Sequence, residues 1–323
     1  MQSLLKPKDI VLVSSDCHKS NPYSVLLSGA HPIFLETFPL QQYDMYGAVP
    51  LKQIKTIMLD LKKKGKLHLL KLAILTNSTF DGLIYNAERF MMDILAIKPD
   101  MMFHWDEAWF AYAQFNPVYK GRTAMSVAAK LSKKLNSDAY RQEYAQWKKE
   151  FESRKKSDQQ LIDEPLMPDP DQAQLRVYAT QSTHKTLTSF RQGSMIHVHD
   201  EKFDSERFLE AFRMHTSTSP NYQILASLDL GRRQVSLEGY ELIKNCLRLA
   251  HNLRTQLHQS ERLKPYFKIL EDQDLVPSQF RTVSNTSEYS FYSTIKSGWA
   301  NSEFIVDPLK ITMDITEIGR AHV

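Results

Sequence analysis

The sequence has little cysteine and no long hydrophobic run. Its two cysteines, Cys17 and Cys246, lie far apart and do not indicate a disulfide framework, so we expect a reducing, cytoplasmic environment. The absence of any stretch of about 20 apolar residues excludes a membrane-spanning helix. The first residues, MQSLLKPKDIVLVSSD, lack the basic start, long apolar centre and cleavage site of a signal peptide.

A strong excess of either charge is also lacking. The formal net charge is +4 over 323 residues, which gives little support to a nucleic-acid-binding function. The hydrophobic fraction of 42% is ordinary for a globular protein, and the length allows a substantial core and a second domain. The composition therefore favours a globular protein that acts on a small molecule.

Short apolar runs alternate with helical patterns along the first two thirds of the chain. Helices are predicted at Leu51–Lys64, which ends before Gly65, and at Ala87–Ala96. Such near-continuous apolar strands between helices predict an α/β fold with a mainly parallel sheet covered on both faces. The predicted strands are Asp9–Ser15, Leu70–Ser78, Asp100–Trp109, Leu175–Ser182 and Ser194–Asp200.

The alternation of strand and helix patterns is interrupted at two places. Aromatic residues recur at helical spacing through Asp138–Arg154, which predicts an amphipathic helix; it would pack on its own domain or offer a docking face to a partner. After residue 235 the pattern predicts a long helix capped by Ser236, and EFIVDPLKITMDI predicts a late strand. We therefore assign 1–235 to a major domain with a charged helical insert at about 131–172, and 236–316 to a linking helix and the start of a small α+β domain.

Polar side chains follow the ends of four predicted strands. In an open parallel sheet, ligands bind beyond the carboxyl ends of the strands, so these side chains are expected to share one edge. Each residue alone is a weak signal, and their common position is the stronger one. They are His18, Asn77, Ser78, Thr79, Asp106, Ser182, His184 and Lys185.

Lys185 lies among hydroxyl residues rather than among other charges. A lysine that traps a carbonyl must lose its proton, and hydroxyl groups beside it can bind a phosphate without adding charge. Asp106, at a neighbouring strand end, could keep a pyridine nitrogen protonated. Pyridoxal 5'-phosphate requires these three features: a reactive amine, an acid and a group of side chains that bind its phosphate. The protonated ring would act as an electron sink, and His18 could stack on it.

The same residues carry a family resemblance. SSDCHKS, LTNSTFDGLIYNA, HWDEAWFAYAQFNPVY, YATQSTHKTL, SMIHV, MHTSTSP and DPLKIT resemble, in order, the motifs of bacterial ornithine/lysine/arginine decarboxylases. The resemblance runs from about residue 9 to residue 313. It implies an aspartate aminotransferase-like, fold-type-I major domain with pyridoxal phosphate as cofactor. It also implies decarboxylation of a basic amino acid to an amine and CO2, and DEAWFAYAQFNP favours arginine over lysine and ornithine.

The resemblance further implies a role for each matched residue. Lys185 would form the Schiff base, Asp106 would pair with the ring nitrogen, and His18 would stack on the ring. Ser182 and His184 would lie by the phosphate, while Trp109 and Thr79 would help to wall the site. Ser217 would reach the cofactor phosphate of a partner subunit, because family sites lie at a dimer interface, so a homodimer or higher homo-oligomer is expected.

The chain departs from the family pattern at both ends. The family has a glycine–hydroxyl phosphate loop before the CHKS strand and an N-terminal wing domain, and neither is found in this sequence. We therefore expect a fragment of a longer enzyme that is itself inactive or nearly so. EIGRAHV, residues 317–323, fits no family pattern, and its back-translation resembles a sequencing adapter, so we interpret it as a non-native tail.

Other interpretations stay open at this stage. The chain could be a non-catalytic fragment, or another fold-type-I enzyme such as an aminotransferase. Cys17 with His18 could form a thiolate pair, although neighbouring strand residues face opposite ways. His197 and His199 could ligate a metal, but no third ligand is near in sequence. The lysines at 62–66 end a predicted helix, where positive charge complements the helix dipole, so a nucleic-acid patch is the weaker interpretation.

Overall fold

A six-stranded sheet organises the chain in the computed structural model, which describes residues 1–119, 121–154, 157–281, 301–316 and 318. The strands are β1 Ile10–Ser14, β2 His31–Leu35, β3 Pro39–Leu40, β4 Met45–Tyr46, β5 Leu70–Thr76, β6 Leu83–Tyr85, β7 Met102–Asp106, β8 Arg176–Gln181, β9 Met195–Asp200, β10 Lys268–Ile269, β11 Phe304–Val306 and β12 Met313–Asp314. The helices are α1 Ser20–Leu27, α2 Leu51–Lys63, α3 Ala87–Ile97, α4 Ala124–Leu135, α5 Asp138–Ser153, α6 Asp158–Asp163, α7 Thr183–Thr186, α8 Ser205–His215, α9 Tyr222–Gln259 and α10 Asp272–Leu275.

The order of strands in the main sheet is β2-β1-β5-β7-β8-β9. All neighbouring pairs are parallel except β8 and β9, which run antiparallel. The predicted α/β fold with a mainly parallel sheet is confirmed, and each of the five predicted strands is present. The sequence did not reveal β2, because this edge strand is half exposed and begins with a His-Pro pair.

Both faces of the sheet are buried, which explains the continuous apolar strands. In β1, Ile10 and Leu12 belong to the larger core cluster, whereas Val11 and Val13 belong to a second cluster on the opposite face. Alternate residues of a strand point to opposite sides, so a strand covered on both sides has no polar face to show. The sheet thus forms a rigid platform whose carboxyl edge carries the polar strand ends.

The two predicted helices form where their end signals indicate. The chain leaves α2 through Gly65, whose φ of +67° is the left-handed conformation that glycine adopts without strain. At α3 the Asn86 side chain accepts a hydrogen bond from the Arg89 backbone N–H, which caps the first turn. The predicted bounds of both helices therefore agree with the structure to within one residue.

Helix α5 packs on its own domain. Tyr140 is buried in the larger core cluster and donates a hydrogen bond to the Pro168 carbonyl at 2.9 Å. Tyr144, Trp147 and Phe151 continue the stripe, with successive ring centroids 5.9 and 4.7 Å apart. These contacts confirm the interpretation of α5 as a surface helix held by its aromatic face.

The predicted start of the long helix is wrong. Helix α9 begins at Tyr222 rather than near Ser236, and Asn221 is its cap, since the Asn221 side chain accepts from the Ile224 backbone N–H. Ser236 lies inside the helix. The error has a physical cause: the apolar spacing continues upstream of Ser236, and a serine within a helix gives the same local signal as a serine cap.

The late strand prediction is also corrected. Two short strands replace it: β11 pairs antiparallel with β6, and β12 pairs antiparallel with β10. The division at residue 235 and the small domain stay predictions, and the proposed non-native tail lies outside the described residues apart from residue 318. Within the described parts of the chain, no helix combines the length and apolar character that crossing a bilayer requires.

Candidate active site

A cavity of about 600 Å³ lies at the carboxyl edge of the main sheet. The structure brings most of the predicted site residues together there. The side chains of His18, Asp106, Ser182, His184 and Lys185 all line it. They come from the ends of β1, β7 and β8, which are not consecutive in sequence, so the fold rather than local sequence assembles the group.

Asp106 is the last residue of β7 and is nearly buried. Its Oδ2 accepts a hydrogen bond from Nδ2 of Asn21 at 3.0 Å, and its Oδ1 accepts from the Ala108 backbone N–H at 3.1 Å. Each carboxylate oxygen has one protein donor and retains further acceptor capacity. The carboxylate is therefore held in one orientation at the cavity wall, where it can accept a hydrogen bond from a protonated nitrogen of a ligand.

Lys185 lies on the four-residue helix α7, directly after β8. Its Nζ lies 4.8 Å from the centroid of the Trp109 ring, within the range of a cation–π contact. Trp109 in turn packs edge-on against Phe80, with centroids 5.7 Å apart. The predicted wall residue Trp109 thus touches the predicted reactive amine, although it does not line the cavity itself.

The remaining cavity residues offer hydrogen-bonding groups. His184 donates from Nδ1 to the Gly193 carbonyl at 2.7 Å, which leaves Nε2 for a ligand. Nδ1 of His18 is 2.8 Å from Oγ of Ser20, a contact that orients the imidazole at the end of β1. Ser182 precedes α7 and makes no side-chain capping bond to it.

Besides Trp109, the predicted residues Thr79 and Ser217 do not line the cavity. Thr79 is buried, and its hydroxyl accepts from the Leu83 backbone N–H at 2.9 Å, so it stabilises the turn after β5. Ser217 lies exposed between α8 and α9 and bonds only within its own loop, where Oγ accepts from the Ser219 backbone N–H at 3.0 Å. The roles suggested for both residues in cofactor binding remain predictions.

A chain of hydrogen-bonded polar side chains lies beside the cavity. Glu107 is fully buried and accepts hydrogen bonds from the Ala124 backbone N–H at 2.7 Å and from Nε2 of Gln181 at 2.9 Å. Oε1 of Gln181 lies 3.1 Å from Nε2 of His197. Burial raises the pKa of Glu107 to about 7. Because Gln181 also lines the cavity, these hydrogen bonds fix one side chain of the cavity wall.

Three residues that sequence analysis missed also belong to this region. Asn21 contacts Asp106, and His104 lines the cavity two residues before it on the same strand. Lys310 approaches from the end of the chain, with Nζ 3.0 Å from Oγ of Ser78 and 5.8 Å from the Trp109 ring centroid. The period of two along β7 could have indicated His104, whereas Asn21 and Lys310 depend on tertiary packing.

The alternative chemistries are weakened by the same geometry. Burial, with Asp16 and Asp106 nearby, raises the pKa of the Cys17 thiol to about 11, which disfavours a thiolate. His197 is bonded to Gln181, and among the described residues no group of three His, Cys, Asp or Glu side chains is placed to hold a metal. Lys63 and Lys64 are paired with Asp158 and Asp60.

The cavity fits pyridoxal phosphate in its donor set. The buried, oriented carboxylate of Asp106 and the amine of Lys185 line the same cavity. The side chains of Ser182 and His184, close to Lys185 in sequence, have polar atoms that can bind a phosphate. A volume of about 600 Å³ is also within the range of about 300–1,000 Å³ that small-molecule sites occupy. The residues present are thus compatible with this cofactor.

Comparisons with known proteins agree with the site. The family model described as Orn/Lys/Arg decarboxylase, major domain, matches residues 1–136 and 158–322. Lysine decarboxylase LdcA of Pseudomonas aeruginosa is 30% identical over 334 residues, covering 96% of this chain and 38% of that protein. The biodegradative arginine decarboxylase of Escherichia coli is 30% identical over 240 residues, covering 71% of this chain and 26% of that protein.

A solved structure shows the same architecture. Lysine decarboxylase A from Pseudomonas aeruginosa superposes with a TM-score of 0.65 at 29% identity, over 97% of this chain and 38% of that one. The expected fold-type-I architecture is confirmed. The chain spans less than half the length of these relatives. The family match leaves out residues 137–157, which include α5.

Proposed function

The chain belongs to the ornithine/lysine/arginine decarboxylase family, and on this premise we propose that it serves the pyridoxal-phosphate-dependent decarboxylation of lysine. The observation that carries the proposal is the placement of Asp106 and Lys185 on one cavity at the carboxyl edge of the sheet. Lysine is chosen because LdcA matches over nearly the whole chain. The preference for arginine expected from DEAWFAYAQFNP gains no support from these comparisons.

When bound, pyridoxal phosphate supplies an aldehyde for amines and a ring that, once protonated on nitrogen, accepts the electron pair left on the substrate carbon when CO2 departs. Asp106 would hold the proton on the ring nitrogen, because its carboxylate is oriented by two donors and can only accept hydrogen bonds while it is ionised. Lys185 would attach the cofactor through Nζ, and its amine would be placed to return a proton to the substrate carbon.

The other cavity residues would bind the phosphate and contact one face of the ring. The Ser182 hydroxyl can donate a hydrogen bond to phosphate oxygens, which are strong acceptors, and His184, whose Nδ1 donates to Gly193, can also donate from Nε2 when its imidazole carries both protons. His18, fixed by Ser20, offers its imidazole to one face of the ring. Excluding water from the ring keeps each of these charge-assisted contacts strong, since they act in a region of low dielectric constant.

A second copy of the chain is the proposed partner. Large apolar side chains are exposed along α8 and α9, including Phe212 at 50%, Leu249 at 58% and Leu237 at 85%. Exposed apolar side chains of this size on two helices mark an interaction site. Ser217 lies exposed at the junction of these helices, so a role toward the cofactor of the partner is part of the same proposal.

The test is cofactor capture and product analysis on the purified protein. Purified protein should develop the absorbance band of lysine-bound pyridoxal phosphate, and Lys185→Ala should abolish it. Lys244→Ala, an exposed lysine on α9, is the matched control and should retain it. Carboxyl-labelled lysine, arginine and ornithine should be compared for CO2 release. Release of keto acid in place of CO2 would contradict decarboxylation, and a preference for arginine would overturn the substrate assignment.

A further inference from the structure

The orientation of Asp106 depends on a residue from a different element. Asn21 lies in the first turn of α1, and its Nδ2 is 3.0 Å from Oδ2 of Asp106. Both side chains are nearly buried, with Asn21 4% and Asp106 7% exposed. An asparagine is disfavoured inside a helix and seldom buried without partners, so the contact with Asp106 is what accommodates it there.

The amide is suited to this position because it carries no charge. A lysine or arginine in its place would form an ion pair with Asp106 and compete with the ring nitrogen. An amide N–H donates one hydrogen bond and leaves the carboxylate its full negative charge. The Ala108 backbone N–H binds the other oxygen at 3.1 Å, so rotation of the carboxylate is restrained on both sides.

Another neighbour on the same strand carries no competing charge. Nε2 of His104 lies 3.1 Å from the Thr180 hydroxyl, and burial lowers the pKa of His104 to about 4, despite the opposing effect of Asp106. His104 is therefore neutral at physiological pH. Neither Asn21 nor His104 thus supplies a cation that would compete with the ring nitrogen for Asp106.

We propose that Asn21 is a positioning residue for the cofactor: it holds the Asp106 carboxylate in the orientation that keeps the ring nitrogen protonated. The inference rests on the proposed function and deepens it. Without the Asn21 amide, Asp106 would be restrained only through Ala108, and its contact with the ring nitrogen would weaken. Residues that orient a primary group in this way affect activity without touching the substrate.

The experiment compares wild type with Asn21→Leu, Asn21→Ala and Asn21→Asp in the full protein, loaded with pyridoxal phosphate labelled with 15N in the ring. Asn21→Leu should lose about 10-fold in cofactor affinity, the effect of one lost hydrogen bond to a charged group. Its ring-nitrogen chemical shift should move toward the unprotonated value at a lower pH than in wild type. Turnover should fall while KM for lysine changes little.

Matched variants separate positioning from packing. Asn21→Ala avoids any crowding by leucine and should show the same shift, whereas Asn21→Asp places a second carboxylate beside Asp106 and should bind the cofactor more weakly still. Ser28→Ala is the control, since the Ser28 hydroxyl donates to the Val25 carbonyl at 2.6 Å and Ser28 does not line the cavity. It should match wild type in affinity and chemical shift.

The outcomes distinguish the inference from the function on which it rests. An Asn21→Leu protein with wild-type affinity and ring-nitrogen titration overturns the role of Asn21 and leaves the decarboxylase proposal intact. A wild-type protein that binds the cofactor but releases no CO2 contradicts the proposed function, while the titration still reports on Asn21. Absence of cofactor binding in wild type overturns both.

Discussion

The Nζ atom of Lys185 lies 4.8 Å from the centroid of the Trp109 ring, so the reactive amine and an indole are in direct contact. Lys185 lies on α7, which follows β8, and Trp109 lies in the turn after the neighbouring strand β7. A cofactor attached to Lys185 must therefore lie within a few ångströms of an intrinsic fluorophore. The fluorescence of Trp109 should therefore report directly on occupation of the site.

Trp109→Phe should remove most of the tryptophan quenching that accompanies cofactor binding. An absorbing group beside an indole takes up its excitation energy, and this effect falls steeply with distance. Titration of pyridoxal phosphate with tryptophan emission as the signal measures it. Trp147→Phe is the control, because Trp147 lies in α5 and stacks on Phe151. Equal loss of quenching in both variants would contradict the placement of Lys185 beside Trp109.

A buried ion pair fixes the connector, residues 164–166, that follows α6. Nζ of Lys55 lies 2.9 Å from Oδ2 of Asp93, both side chains are 2% exposed, and Lys55 also donates to the Glu164 carbonyl at 2.7 Å. Oδ1 of Asp93 accepts from the Leu166 backbone N–H at 3.0 Å. The pair therefore ties α2, α3 and the connector together.

Lys55→Met should lower the free energy of unfolding by about 3–5 kcal/mol, because it leaves the Asp93 carboxylate buried without its cation. Adding Asp93→Asn should recover a large part of this loss, since the amide keeps an acceptor for Leu166 and carries no charge. Urea denaturation measures both. Lys52→Met on the same helix breaks an exposed pair with Asp163 and should cost less than about 1 kcal/mol. Similar losses for Lys52→Met and Lys55→Met would refute the assignment.

Sequence reasoning succeeded where the signal was local. The five predicted strands have apolar residues on both faces, and Asp106 and Lys185 could be placed because each follows such a strand directly. The same reasoning failed at Ser236, because a serine in a helix resembles a cap and only tertiary contacts fix where α9 begins. Local pattern thus identified the strands of the sheet and the candidate site residues at their ends.

Residues that support these groups could not be predicted in the same way. Asn21 and Asp106 are 85 positions apart, and Lys310 is 232 positions from Ser78. Their contacts depend on how α1 and the last described segment pack on the sheet, which no periodicity encodes. The sequence therefore predicted candidate reactive residues, while the structure was needed to show which side chains contact them.

Lys310 should be important for the stability of the site. Its Nζ donates to Oγ of Ser78 at 3.0 Å and to the Thr79 carbonyl at 2.8 Å. Its side chain passes Gly82, where an added Cβ would lie 3.2 Å from Lys310 Cδ and the φ of +95° favours glycine. Burial lowers the pKa of Lys310, while Asp307 and Asp81 oppose the shift and Lys185 adds to it.

Lys310→Met should reduce the free energy of unfolding by roughly 1–3 kcal/mol, because two buried acceptors lose their donor. Gly82→Ala should have a comparable effect, since it strains the backbone and crowds the lysine stem. Thermal unfolding followed by circular dichroism measures both. Lys264→Met removes an exposed lysine paired with Glu261 and should leave the melting temperature almost unchanged. An unchanged melting temperature in Lys310→Met would show that these bonds do not stabilise the fold.

Glu107 should make the protein less stable as the pH rises toward neutrality. Burial raises its pKa from 4.5 to about 7, so between these values the folded protein holds a proton that the unfolded chain releases. The free energy of unfolding therefore falls across this window, by about 3 kcal/mol when complete. Glu107→Gln removes the titration and should flatten the decline by this amount, whatever constant effect the amide has.

Urea denaturation of wild type and Glu107→Gln at intervals between pH 4.5 and 8 measures the difference. Asp272, with a pKa raised to about 6 by burial, and His104, with a pKa lowered to about 4, titrate in both proteins and cancel in the comparison. Glu210→Gln, an exposed residue on α8, should follow the wild-type curve. If Glu107→Gln also follows it, the Glu107 carboxyl ionises in the folded protein near its ordinary pKa, and the hydrogen bonds from Ala124 and Gln181 fully compensate for its burial.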